Sequence, residues 1–244
     1  MKKYKIIIAT AIIGFLGILF VACEEEVLNK DNKNAISGQD IWGDIGLAES
    51  YLNRCYEAVG NFGVTYGQPW HFKSAVTDDG TTRGSGPTFT REEVSASSGG
   101  YNDKWTRKYR YIREINVFLQ NIDNVPDAPE EQVASLKAQA RFLRAKCYSD
   151  LVNWYSWWDG ENNGVPIITE PFELDDDFQV GRANYDEVIS FIVSELDAAM
   201  EDLPNEWSDD QWGRITKGAC MALKSQQLLY AASKRHNPDG DAQK

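Results

Sequence analysis

The sequence predicts an all-α fold of stacked antiparallel helix pairs, irregularly tetratricopeptide-like and broken by one long loop insertion. Three observations carry that reading. Apolar residues recur at three- and four-residue steps in five segments after residue 40. The clearest segment carries two apolar stripes, which puts neighbours on two sides of one helix. Gly60, Pro126, Pro204 and Pro238 stand beyond the ends of four of the segments, where helices stop. No clean repeat of tetratricopeptide length is visible, so the expected stacking is irregular.

The chain opens differently. Lys2, Lys3 and Lys5 precede a run, Ile6 to Ala22, that holds no charge, and Cys23 is followed at once by Glu24, Glu25 and Glu26. A basic segment, an apolar segment and a small residue before the junction make an export signal over residues 1–22. The junction resembles a bacterial lipobox, with Phe20 where leucine is usual. That resemblance implies a diacylglycerol on the Cys23 thiol and cleavage before it. The alternative is an uncleaved anchor, since the run is only slightly shorter than the ~20 residues a spanning helix needs.

The net charge is −12 at pH 7 and becomes −15 once Lys2, Lys3 and Lys5 are removed with the signal. Such a chain repels phosphate backbones and anionic head groups, which excludes nucleic acid as a partner and leaves the acyl chains to hold the membrane. Cys55, Cys147 and Cys220 each lie among apolar residues of a predicted helix, so three buried thiols are expected rather than a bridge. His71 and His236 are the only histidines and no Cys-x-x-Cys occurs, so no metal or other cofactor is expected.

Residues 23–38 are polar and lack apolar periodicity, which reads as a tether; 39–244 are the helical domain. Its first helix has Trp42, Ile45, Ala48, Leu52, Cys55 or Tyr56 and Val59 in register. Residues 61–100 are rich in Gly, Ser and Thr and read as a long loop, with a short strand or turn around His71 to Val76; loops of that length are often functional. The second helix carries Tyr101, Trp105, Tyr109, Ile112, Ile115, Leu119 and Ile122.

The third is expected to start with Asp127 as N-cap and Pro129 in its first turn. One stripe runs Leu136, Ala140, Leu143, Cys147, Leu151, Trp154 and Trp158, the other Ala138, Phe142, Ala145, Tyr148, Val152 and Tyr155. Asn184-x-x-Glu187 is a capping-box start for the fourth helix, striped by Tyr185, Ile189, Ile192, Leu196, Ala199 and Leu203. A fifth starts near Thr216 and runs through Leu223, Leu228 and Tyr230.

This order of features resembles the N-terminal half of the SusD/RagB family, surface glycan-binding lipoproteins of Bacteroidota. "DIGLAESYLNRCYEAV" is similar to an early family helix, and Trp105, Tyr109, Ile112 and a displaced Asn116 match a W-x3-Y-x2-I-x2-N helix. The most specific match is "KAQARFLRAKCYSDLV", through Ala138, Ala140, Arg141, Phe142, Leu143, Arg144, Ala145, Tyr148, Leu151 and Val152, followed by Val165, Pro166 and Ile167. Gly213, Arg214, Thr216, Lys217 and Ala219 match a G-R-x-T-K-x-A segment.

The resemblance implies a surface-exposed outer-membrane lipoprotein that captures oligosaccharide or polysaccharide for a SusC-like TonB-dependent transporter. It also implies that Glu24 to Glu26 direct export to the outer face. Family members continue beyond "NPDGDAQK", so the helical domain is expected to be truncated. Ala222, Leu223, Leu228, Leu229 and Tyr230 of the fifth helix are then left uncovered.

No nucleophile elbow, phosphate loop, dinucleotide fingerprint or His-Glu-x-x-His is present, so no enzyme is expected. Asp175, Asp176 and Asp177 lack the alternation and glycine of a calcium loop and read as a solvated turn. A sugar site needs aromatic faces for the C–H side of a pyranose and polar groups for its hydroxyls. Trp105, Phe142, Tyr148 and Trp154 sit in register and read as core. Tyr66, Trp70, Phe89, Trp207 and Trp212 fall in predicted loops, beside Asp78, Asp79, Arg83, Asn205 and Asp210. Of these, Trp70, Tyr66, Asp78, Asp79, Arg83, Trp207 and Trp212 are the candidate glycan contacts. The rival readings are a tetratricopeptide-like protein that binds protein partners, separable by glycan-array signal, and a hydrolase, separable by polysaccharide turnover.

Overall fold

The computed structural model describes residues 40–59, 105–157, 160–161, 163–173 and 175–240. Outside these lie the signal segment 1–22, Cys23, the tether, Trp158 and residues 61–100, where the loop and the short strand or turn near His71 are expected. The described residues from Trp42 onward belong to one compact unit, and Asp40 and Ile41 are the described residues before it.

The described residues form five α-helices and no strand: α1 (Ile45–Cys55), α2 (Trp105–Asn121), α3 (Glu130–Tyr155), α4 (Tyr185–Asp202) and α5 (Lys217–Ala231). Helix α1 starts because the Asp44 carboxylate accepts the Leu47 N–H at 3.1 Å, which satisfies one of the orphan donors of the first turn. It buries Ala48, Leu52 and Cys55, which share one face at four- and three-residue steps. A 3₁₀ turn, Tyr56–Val59, follows. Rings of Trp42 and Tyr51 lie 5.3 Å apart and Tyr51 stacks on Phe118 at 6.3 Å, sealing α1 against α2.

Helix α3 is the axis of the fold. Its 26 residues reach about 39 Å at 1.5 Å per residue. Both predicted stripes are buried, from Leu136 to Leu151 and from Ala138 to Val152, and α3 packs against α1, α2, α4 and α5. A helix that is apolar on two faces has this one solution in water, which is to lie inside the layer.

Its ends depart from expectation. Asp127 is not the N-cap: its φ of 54° puts it in a left-handed turn between Pro126 and Pro129, and Pro129 occupies the cap position instead. The two prolines fix the backbone on either side, and aspartate tolerates the left-handed region better than most residues. Glu130 and Glu131 then place negative charge at the positive end of the helix. At the other end, Trp154 continues the stripe of Cys147 and Leu151 in spacing, yet it is 49% exposed and is not core. Helix α2 begins at Trp105, against Tyr155, so the last turn of α3 lies at the edge of the layer. Periodicity continues there after the packing has ended.

Helix α4 starts as its capping box predicts, with the Glu187 carboxylate accepting the Asn184 N–H at 2.7 Å. Helix α5 starts at the Thr216 cap, whose hydroxyl accepts the Ala219 N–H. Of its apolar residues, Leu223 is core, while Met221, Ala222, Leu228, Leu229 and Tyr230 are exposed. Cys55, Cys147 and Cys220 are free and buried, as expected. Burial pushes the first two thiols up to about 12 and the third to about 11, so all three are protonated at neutral pH.

Candidate functional site

Between α3 and α4 the described residues of 164–183 run without regular structure. The ends of this segment meet, with the Gly164 N–H on the Ala183 carbonyl at 2.9 Å and the Ala183 N–H on the Val165 carbonyl at 3.3 Å. Between them the backbone has no strand partner among the described residues, and buried peptide groups must still be bonded. Side chains of α2 and α3 supply those bonds. Tyr109 donates to the Pro166 carbonyl at 2.8 Å, Asn116 to Ile168 at 3.0 Å and Arg113 to Phe172 at 2.7 Å. The Tyr148 hydroxyl does both jobs, accepting the Ile168 N–H at 2.7 Å and donating to the Ile168 carbonyl at 3.0 Å. Burial pushes the Tyr148 and Tyr109 phenols up, so both hydroxyls keep their protons.

Arg144 and Arg141 complete this frame. Glu195 of α4 receives Arg144 on one carboxylate oxygen and Arg141 on the other, and Arg144 also donates to Asn116 Oδ1 at 2.9 Å. At the far end Arg182 donates to the carbonyls of Tyr155 at 2.9 Å and Gly164 at 2.6 Å, with its guanidinium 5.2 Å from the Trp105 ring.

A second braced loop, residues 204–216, joins α4 to α5. The Lys217 N–H closes it on the Pro204 carbonyl at 3.0 Å. Arg214 anchors its base, paired with Glu49 of α1 and donating to Gln139 Oε1 at 3.0 Å, where the Tyr56 hydroxyl also donates at 2.6 Å. Gly213 has a φ of 97°, which a side chain would strain, so the turn beside Trp212 calls for glycine.

The two candidate tryptophans of this loop have different places. Trp207 packs against the core and its indole N–H donates to the Ile215 carbonyl at 2.7 Å. Trp212 is 87% exposed, next to exposed Asp209 and Asp210. A fixed loop thus presents one indole to solvent with carboxylates close in sequence. Tyr66, Trp70, Asp78, Asp79, Arg83 and Phe89 lie outside the described residues. Among the described residues no group of three His, Cys, Asp or Glu could hold a metal ion, and no helix is long and apolar enough to cross a membrane.

The SusD-like family model, described as starch-binding and associating with the outer membrane, matches residues 45–229. The chain belongs to the SusD-like family. A SusD-like protein of Formosa agariphila is 31% identical over 133 residues, which is 54% of this chain and 24% of that protein. A SusD-like structure from Bacteroides fragilis superposes with a TM-score of 0.68 at 27% identity, covering 83% of this chain and 38% of the other. A laminarin-binding SusD-like protein gives 0.63 at 27% identity, covering 78% and 41%. The chain therefore spans about a quarter of that curated relative, on the 24% just given, and about two fifths of each structure.

Within this SusD-like chain, the motif residues Tyr109, Asn116, Arg144, Tyr148 and Arg214 all bond the two irregular segments to the helices. The sequence matches them to the family and assigns them no role. A usable signal is present all the same, since Asn116, Gln139 and Arg144 are polar residues at buried positions of apolar helices.

Proposed function

We propose that this SusD-like chain belongs to a surface glycan-binding lipoprotein that takes up oligosaccharide and passes it to a SusC-like TonB-dependent transporter. The observation that carries the reading is Trp212, an almost fully exposed indole on a loop fixed by Arg214 and Trp207. An indole face offers the apolar surface that the C–H side of a pyranose needs, and a fixed loop lowers the entropy lost on binding. The family match and the laminarin-binding relative support sugar as the ligand class. Trp70, Tyr66, Asp78, Asp79 and Arg83 are proposed to add contacts, Cys23 to carry the lipid and Glu24 to Glu26 to direct it to the outer face.

Affinity electrophoresis of the full chain in gels containing laminarin or soluble starch tests the binding step. Retardation by at least one neutral glycan, weakened by Trp212→Ala, is expected. Equal mobility in every gel sinks the glycan reading. For the anchor, Cys23→Ala should abolish fatty-acid incorporation, and unchanged labelling sinks the lipoprotein assignment.

A further inference from the structure

The turn after α3 carries features that the family motif does not use. Trp157 is 61% exposed. Its backbone is fixed, with its N–H on the Asn163 carbonyl at 2.8 Å, which ties position 157 to position 163. The preceding residues are held as well: the Tyr155 carbonyl receives Arg182, and the Tyr155 ring packs edge-on against Trp105 at 5.3 Å. The indole therefore stands on a rigid base and has no core to fill.

Beyond the same turn is a cleft of about 280 Å³. Its walls include Glu161 and Asn163 from the turn, Tyr185, Asp186 and Glu187 from the start of α4, and His236 from the tail after α5. Tyr185 and His236 stack in parallel with ring centroids 3.8 Å apart. Asn163 commits its side-chain oxygen to the Tyr185 N–H at 2.8 Å, which leaves its amide NH₂ as a donor at the cleft. Glu187 uses Oε2 for the Asn184 N–H, and its other oxygen remains an acceptor.

We propose that Trp157 and this cleft form a saccharide subsite, separate from Trp212, for one residue of a neutral glycan chain. The subsite rests on the glycan-binding reading above. A sugar hydroxyl both donates and accepts, and the Asn163 amide with the Glu161 and Glu187 carboxylates offers both partners. The cleft is smaller than the pockets of roughly 300–1,000 Å³ that enclose a whole drug-sized ligand. It suits one ring of a polymer, and the backbone bond from Trp157 to Asn163, a residue of the cleft wall, sets the indole at the adjoining position for the next ring. No lysine or arginine is among its lining residues and three are carboxylates. Arg235 lies near enough to Tyr185 to favour its charged form, but it is one cation against three anions, so uronate and sulfated chains are disfavoured.

The test is affinity electrophoresis of the full chain in laminarin, soluble starch and the uronate polymer polygalacturonate, with Trp157→Ala, Trp157→Phe, Glu161→Ala and the control Phe178→Ala. Phe178 is 62% exposed on a different segment. Circular dichroism checks that each variant is folded. Trp157→Ala should weaken binding of the neutral glycan by about tenfold or more, with Glu161→Ala weaker too and Trp157→Phe largely retained. Phe178→Ala should match the wild type. Wild-type binding that Trp157→Ala leaves unchanged overturns the subsite and spares the glycan reading. Preference for polygalacturonate overturns the neutral-ligand assignment. Failure of the wild type to bind any of the three overturns both.

Discussion

Arg144 and Glu195 form a buried ion pair in which Nε and Nη2 of the arginine both lie 2.7 Å from the same carboxylate oxygen, Oε2. The second oxygen is held by Arg141 at 2.9 Å. The residues are 7% and 4% exposed, so water screens the Arg144 contact little. Removing one partner of such a pair leaves a charge buried without its counterion, at a cost of roughly 3–5 kcal/mol.

Glu195→Ala is therefore expected to lower unfolding stability by about 3–5 kcal/mol. Arg141→Ala should cost about 1 kcal/mol or less, because that side chain is 37% exposed. Urea titration followed by circular dichroism measures both. A larger loss for Arg141→Ala than for Glu195→Ala would show that the buried contact is not the stronger one.

Tyr148→Phe keeps the ring and removes only the hydroxyl that serves both peptide groups of Ile168. The Ile168 carbonyl keeps Asn116 as a donor, so the variant leaves only the partly buried Ile168 N–H unbonded, at a cost of about 1 kcal/mol. The loss should be local as well as global. Hydrogen exchange at the Ile168 amide is expected to speed up more than exchange in α4, and equal acceleration in both would remove Tyr148 as the anchor of the 164–183 segment.

The helices are legible because burial on one or two faces leaves a period that residues such as Ile112, Leu143 and Ile192 display directly. Local chemistry also shows the α4 capping box. The α3 start is less visible, since Pro126 and Pro129 set the turn and Asp127 has cap chemistry without cap geometry. The course of residues 164–183 has no local signal. Tyr109 and Pro166 are 57 positions apart, and only folding brings the donor to that carbonyl. For the candidate site, Trp212 is legible as a tryptophan outside any stripe. Trp207 shares that property, and what separates the two is the bond to Ile215, which spacing does not encode.

Gln227 lies on α5 with no exposure, and among the described residues neither its side-chain oxygen nor its nitrogen has a hydrogen-bond partner. Burying an amide in this state is unfavourable, whereas an apolar side chain of similar length gains from the same burial. Gln227→Leu should raise stability by about 1–2 kcal/mol, read as a higher urea midpoint with an unchanged slope. A lower midpoint would mean that the amide is satisfied in solution.

Asp150 supplies the pH dependence. Burial alone raises its carboxyl, but Lys146 at 2.5 Å and Lys108 at 2.6 Å outweigh it and hold the group below its ordinary value. A carboxylate lowered by folding stabilises the native state in full above its unfolded pKa of about 3.9, and that contribution is lost as pH falls through the folded value. Lys108 is itself buried, with the Ala58 carbonyl at 2.5 Å as its other partner, so it depends on the Asp150 charge. Asp150→Asn should then be clearly less stable than the wild type at pH 7. Below about pH 4 the gap should close, because a protonated aspartate resembles the asparagine that replaced it. Urea midpoints for the two proteins between about pH 7 and pH 2 decide the matter. A gap that stays constant or widens on acidification would assign the acid sensitivity to other carboxylates.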